Sequence, residues 1–159
     1  MLDEFDLALL EEIQRDDGRT ADQLAERIAL SPSAIARRLR RLRGEGWVRR
    51  TVALLASRLT ERRLRAIVMV QLAEHADQAR KAALLDRLTA AAEVQFVYEI
   101  AGSHDLLLLL DCADMDEFVG RAEALLAIDA TVRRYESLFV KREIKFAPFV
   151  RLIGRRPAY

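Results

Sequence analysis

Apolar positions recur at helical spacing through the first third of the chain. Beyond it they alternate or run together, and this change of period divides the sequence. Phe5, Leu9, Leu10 and Ile13 predict an amphipathic helix over residues 3–15. Asp16-Asp17-Gly18 ends it. Thr20 with Gln23 three residues later fits a capping box, in which hydroxyl and amide each satisfy an orphan backbone N–H. A second, short helix then runs to about residue 28, burying Leu24 and Ile28, and Ala29-Leu30 makes a tight turn. Ser31 is a good N-cap, and Pro32 suits the first helical position, where its missing N–H costs nothing. The third helix runs to about residue 43 and stops at Gly44, with Ile35, Leu39 and Leu42 as its apolar stripe. After Gly46, residues 47–52 predict a strand, with Trp47 closing a small core.

The remaining two thirds read differently. Residues 66–72 form an apolar, β-branched run suited to a buried strand. Residues 76–92 are helix-like, with Leu84, Leu85 and Leu88 on one side. Strands follow over 94–100 and 105–112, joined by a turn at Gly102-Ser103-His104. Met115, Phe118, Val119, Ala122, Leu125 and Leu126 predict a further helix, and 132–141 a last strand. The order βαββαβ is the ferredoxin-like plan, an antiparallel sheet with both helices on one face. The expected class is therefore α+β: a winged-type helix-turn-helix over 1–50, a strand or hinge linker over 51–63, and a ferredoxin-like domain with a C-terminal tail over 64–159. The second sheet face is not marked as polar, because 106–110 is apolar on both sides. No remaining part of the chain is large enough to cover that face, so a partner copy is the physical solution and a homodimer is expected.

Composition narrows the function. A chain of 159 residues, 52% of them hydrophobic, holds one ordinary domain or two small ones. No apolar run approaches a membrane span, and the acidic N-terminus lacks the pattern of a signal peptide, so a cytoplasmic protein is expected. The single cysteine, Cys112, excludes an internal disulfide framework and reads as a small buried apolar residue. His75 has no second ligand near it, and no metal or cofactor is implied. No Gly-x-Ser-x-Gly, phosphate loop or paired metal ligands mark a catalytic site, so no catalytic residue is assigned and no enzyme is expected.

The net charge of +1 hides a segregation. Residues 1–30 carry nine acidic and three basic side chains, and residues 31–50 carry seven arginines and one glutamate. On the third helix Ser33, Ala34, Arg37, Arg38 and Arg41 lie opposite the apolar stripe. Small residues at its start, Ser31 included, permit close approach to a groove, and the arginines reach guanine edges or phosphates. Two helices joined by a tight turn, the second basic outside, is the helix-turn-helix arrangement, and double-stranded DNA is the expected partner. Arg49 and Arg50 read equally well as phosphate contacts and as solvated side chains.

The chain resembles the Lrp/AsnC (feast/famine) family of transcription regulators over nearly its whole length. The carriers in the first domain are Leu2-Asp3 and Asp6 with Gln14, Leu30-Ser31-Pro32-Ser33 leading into Arg38 and Arg41-Leu42, and Gly46-Trp47-Val48. In the second they are Ala101-Gly102-Ser103-His104-Asp105-Leu106, Val132-Arg133-Arg134, Glu136, and Lys141-Arg142-Glu143-Ile144-Lys145. The resemblance implies a strand hinge, an effector domain, and dimers that assemble further, often into octamers. It also implies amino acids or related metabolites bound between subunits, at the Gly-x-x-Asp turn and the last strand. Carried over, the effector-binding residues are Gly102, Ser103, His104, Asp105, Tyr135 and Ser137. Asp105 would pair with an ammonium group, and the Gly102 and Ser103 backbone would donate to a carboxylate. The plainer readings are a turn glycine for Gly102 and a hairpin cap for Asp105. Ala29 stands where the family usually has Gly, which implies strain if φ is positive there. Tyr135 stands where Thr is common, and implies a smaller pocket. Two rival functions share the architecture: a siroheme-decarboxylase-like enzyme, and a nucleoid-architectural protein without an effector.

Overall fold

The computed structural model describes residues 1–74 and 77–152. His75 and the end of the tail lie outside the described residues. Among the described residues two compact units form: Met1–Leu54 together with residues 145–152, and Leu55–Ile144. Residues 145–152, read above as a tail of the sheet domain, thus group with the helical unit.

In the helical unit, α1 spans Glu4–Arg15, α2 Ala21–Ala25 and α3 Pro32–Gly44. Asp3 caps α1 in a reciprocal box with Asp6. Leu9, Leu10 and Ile13 are buried as expected, but Phe5 is not. Positions 6, 9, 10 and 13 share one face, and Phe5 is rotated roughly 100° from Asp6. The fourth inward residue is therefore a carboxylate, Asp6, 1% exposed. The expected box closes α2: Gln23 donates its backbone N–H to the Thr20 hydroxyl, and the Thr20 N–H donates to Gln23 Oε1. Helix α2 stops short of residue 28, yet Leu24 and Ile28 are both buried. No non-glycine residue among those described has positive φ, so Ala29 carries no left-handed strain. Ser31 caps α3 by accepting from the Ala34 N–H, and Ile35, Leu39 and Leu42 complete the core. Residues 47–52 do not form the expected strand. A lone extended segment has no ladder in which to satisfy its backbone. Trp47 is also not the core residue expected: it is 51% exposed, with its indole N–H donating to Glu45. Val48 and Leu152 pack against the core instead.

In the second unit the elements are β1 (Leu64–Leu72), α4 (Gln78–Ala90), β2 (Val94–Glu99), β3 (Leu106–Cys112), α5 (Met115–Ala122) and β4 (Val132–Phe139). A π-helical turn over Glu123–Ala127 follows α5. The sheet is antiparallel in the order β2-β3-β1-β4, the ferredoxin-like plan. One face is packed by α4 and α5: Ala66, Val68 and Val70 of β1 and Leu106, Leu108, Leu110 and Cys112 of β3 meet Leu84, Leu88, Phe118, Ala122, Leu125 and Leu126. Met115 and Val119, expected in that stripe, are exposed, and β4 ends at Phe139 rather than 141.

Candidate DNA-binding surface and effector cleft

The arginines of residues 31–50 fall into two groups. Arg38 Nη1 donates to Asp3 Oδ2 at 2.7 Å and to Asp6 Oδ1 at 2.8 Å, and Arg41 Nη2 donates to Asp6 Oδ2 at 2.5 Å. The Arg38 guanidinium also lies over the Phe5 ring, 5.7 Å from its centroid. Arg43 pairs with Asp17, whose other oxygen accepts from the Thr51 hydroxyl. Arg37, Arg40, Arg49 and Arg50 are exposed and form no ion pair among the described residues. Ser31 and Ser33 are exposed at the start of α3, and Ala34 is half-buried beside them. Burial pushes the Asp6 carboxyl up, but the hydrogen bonds from Arg38, Arg41 and the Asp3 backbone outweigh it and hold the group below the usual carboxylate range. The bond to Asp6 likewise raises Arg38. The acidic first segment is thus partly the counter-charge of the basic helix. The charge pattern hinted at this, but the inward position of Asp6 was hidden behind the more obvious apolar Phe5.

The six expected effector residues divide. Gly102 has φ +152°, a conformation that L side chains rarely adopt, so the turn requires glycine. By its N–H and its side chain, Asp105 ties the turn to the end of β1 rather than across the hairpin: its N–H donates to the Val70 carbonyl at 2.9 Å, and its Oδ2 accepts from the Leu72 N–H at 2.8 Å. The Ser103 carbonyl accepts from Gln71 Nε2 at 3.2 Å. Ser103 Oγ meets His104 Nδ1, and His104 Nε2 faces Glu136 at 4.0 Å. Tyr135 packs against the sheet–helix core, and Ser137 is half-buried two residues on. Of the six, Asp105 alone lines a cleft of about 360 Å³ at this end of the sheet. Its other polar walls are Gln71, Glu74, Gln78, Lys81 and Arg133. Lys81 pairs with Glu99, and Arg133 lies 3.5 Å from Glu74. These residues come from a strand end, a helix start and a register irregularity beside Gln71 and Leu72, so no spacing in the sequence announces them.

The face of the sheet opposite the helices is apolar except at Glu136, and its side chains are half-buried or exposed. The register aligns Phe96, Leu109, Ile67 and Leu138 in one row, and Tyr98, Leu107, Met69 and Glu136 in the next. The Phe96 and Tyr98 rings lie against each other at a tilt of 32°, with centroids 4.9 Å apart.

A winged helix-turn-helix DNA-binding profile matches residues 2–49, and the profile of the Lrp/AsnC ligand binding domain matches residues 65–148. The glutamate uptake regulatory protein of Zymomonas mobilis is 32% identical over 74% of this chain and 71% of its own length. The transcriptional activator DecR of Escherichia coli is 32% identical over 76% of this chain and 81% of its own. A transcriptional regulator from Neisseria meningitidis, crystallised with L-Met, superposes with a TM-score of 0.82 at 30% identity, covering 93% of this chain and 95% of that one. Helix-turn-helix and ligand-binding sheet domain together define a DNA-binding transcription regulator. The chain belongs to the Lrp/AsnC family.

Proposed function

We propose that this regulator acts in the cytoplasm as a homodimer paired through its open sheet faces, and that a small amino-acid-like effector tunes its hold on DNA. The observation that carries the reading is the apolar patch of Ile67, Met69, Phe96, Leu107, Leu109 and Leu138, half-buried or exposed on the face of the sheet opposite the helices. A contiguous apolar patch of this kind is unfavourable in water and suits a self-complementary contact. Further assembly, to octamers, follows the family resemblance. DNA is contacted by the start and outer edge of α3, through Ser31, Ser33, Ala34, Arg37, Arg38 and Arg41. The effector occupies the cleft beside Asp105, where carboxylates (Asp105, Glu74) and cations (Lys81, Arg133) line one space. Carboxylates and cations around one space suit a zwitterion, and the Neisseria relative's complex with L-Met accords with it. Gly102 and Ser103 shape the turn over it, while His104, Tyr135 and Ser137 contribute indirectly. The chain catalyses no reaction in this reading.

Sedimentation of the full chain at micromolar concentration should give a dimer or a multiple of it. Leu109→Lys, at the centre of the open face, should weaken pairing about a hundredfold or more, since a buried unpaired ammonium opposes association. A stable wild-type monomer overturns the assembly. A thermal-shift screen over the common amino acids should yield stabilising ligands whose effect falls in Asp105→Asn. Ligands that bind both proteins equally refute the cleft.

A further inference from the structure

Among the described residues Asp6 is the one nearly fully buried carboxylate, and it is held by the DNA-reading helix. Both oxygens of Asp6 are engaged, one by Arg38 and the other by Arg41 and the Asp3 N–H. Arg38 spends its Nη1 on Asp3 and Asp6, and its Nε and Nη2 have no hydrogen bond among the described residues. That free edge is the fork which reads two acceptors at once on a guanine or a phosphate. Its plane is set by the two carboxylates on one side and the Phe5 ring beneath. DNA cannot draw Arg38 and Arg41 fully away without leaving a buried charge uncompensated, so the pairs persist in the complex.

We propose that Asp6 is a positioning residue for DNA selectivity. It fixes how Arg38 and Arg41 present their remaining donors and stops both from serving as adaptable phosphate contacts. The inference rests on α3 as the DNA-reading helix. An arginine on a free tether finds a phosphate on any sequence, and each such contact steepens the salt dependence of binding. An arginine held on one side meets only acceptors that come to it.

The test compares the full-length wild type with Asp6→Asn, which keeps the shape of the side chain and removes its charge. Two probes are used: a duplex selected by the wild type from a random-sequence library, and an unselected duplex pool of equal length. Affinity for each is measured across a salt series. In Asp6→Asn, binding to the unselected pool should be retained or tightened. Its slope against the logarithm of salt should steepen by about one to two. The preference for the selected duplex should fall about tenfold or more. Asp3→Asn keeps the helix cap, frees only one Arg38 bond, and decides the matter if Asp6→Asn fails to fold. It should shift slope and preference the same way by a smaller amount. Parallel loss of affinity for both probes at unchanged slope, or no change in either measure, overturns the proposal. The slope on the unselected pool is informative even if selection yields no preferred duplex, an outcome that would count against sequence-specific regulation and not against Asp6.

Discussion

Gln14 clasps the backbone of Val150 from both sides: its Oε1 accepts from the Val150 N–H at 2.9 Å, and its Nε2 donates to the Val150 carbonyl at 3.2 Å. One side-chain amide thereby does what a neighbouring strand would do. Two contacts reinforce it. The Leu152 N–H donates to Glu11 at 2.6 Å, and Arg15 lies 5.6 Å from the Phe149 ring centroid. Leu152 adds a side chain to the helical core.

Gln14→Ala should therefore destabilise the helical unit by about 1 kcal/mol, since both bonds are exposed and each is worth little net of water. Urea unfolding measures the loss. Hydrogen exchange at the Val150 amide should accelerate in the same variant, and unchanged protection there would contradict the clasp.

Asp6 makes the helical unit sensitive to acid. Its folded pKa lies below its unfolded value of about 3.9. The unfolded chain therefore binds the proton more readily, and the stabilisation is fully present above about pH 4. It is lost as pH falls through the folded value. Asp6→Asn should cost about 2–3 kcal/mol at neutral pH, less than a fully buried pair because Arg41 is partly exposed. It should also flatten the stability profile below about pH 4. Denaturant titrations of the two proteins from pH 2 to 7 provide the measurement, with pH values set by these limits.

Gly102→Ala isolates backbone conformation from packing. A Cβ there would meet nothing within 4 Å, so space is not at issue. The φ of +152° is, and about 1–3 kcal/mol of destabilisation is expected. A calorimetric melt no different from wild type would show that the turn relaxes at no cost.

Arg37 is exposed and has no ion pair among the described residues, so its removal should leave folding unchanged. Arg37→Ala should weaken DNA binding by about 1–3 kcal/mol if it reads a base and should relax preference at one position. Binding titrations against duplexes with single base changes would distinguish this from a phosphate contact, which weakens all sequences alike.

Much of the fold was legible from local chemistry. Thr20 with Gln23, and Ser31 with Pro32, start their helices by satisfying backbone groups a few residues away, and such contacts need no tertiary information. The strand over 106–112 was equally readable as an unbroken apolar run, because a central strand can carry apolar side chains on both of its faces; which of its residues point to the helices was decided by the fold. The errors share a different origin. Trp47 and Phe5 are large and apolar, yet each lies where the local turn or helix phase directs it outward. Residues 47–52 have strand-like composition, but a strand exists only where another strand receives its hydrogen bonds.

The sequence by itself determined the two-part architecture, the βαββαβ order and the basic helix of a helix-turn-helix, because periodicity, caps and charge act over a few residues. The tertiary structure decided which arginines of that helix remain unpaired, since Asp6 lies 32 positions before Arg38 and meets it only when α1 and α3 share a core. It also decided the walls of the cleft beside Asp105. Lys81 and Arg133 are brought to Gln71 by the sheet register and the helix crossing above it, and electrostatic fields between side chains depend on distance through space, not along the chain.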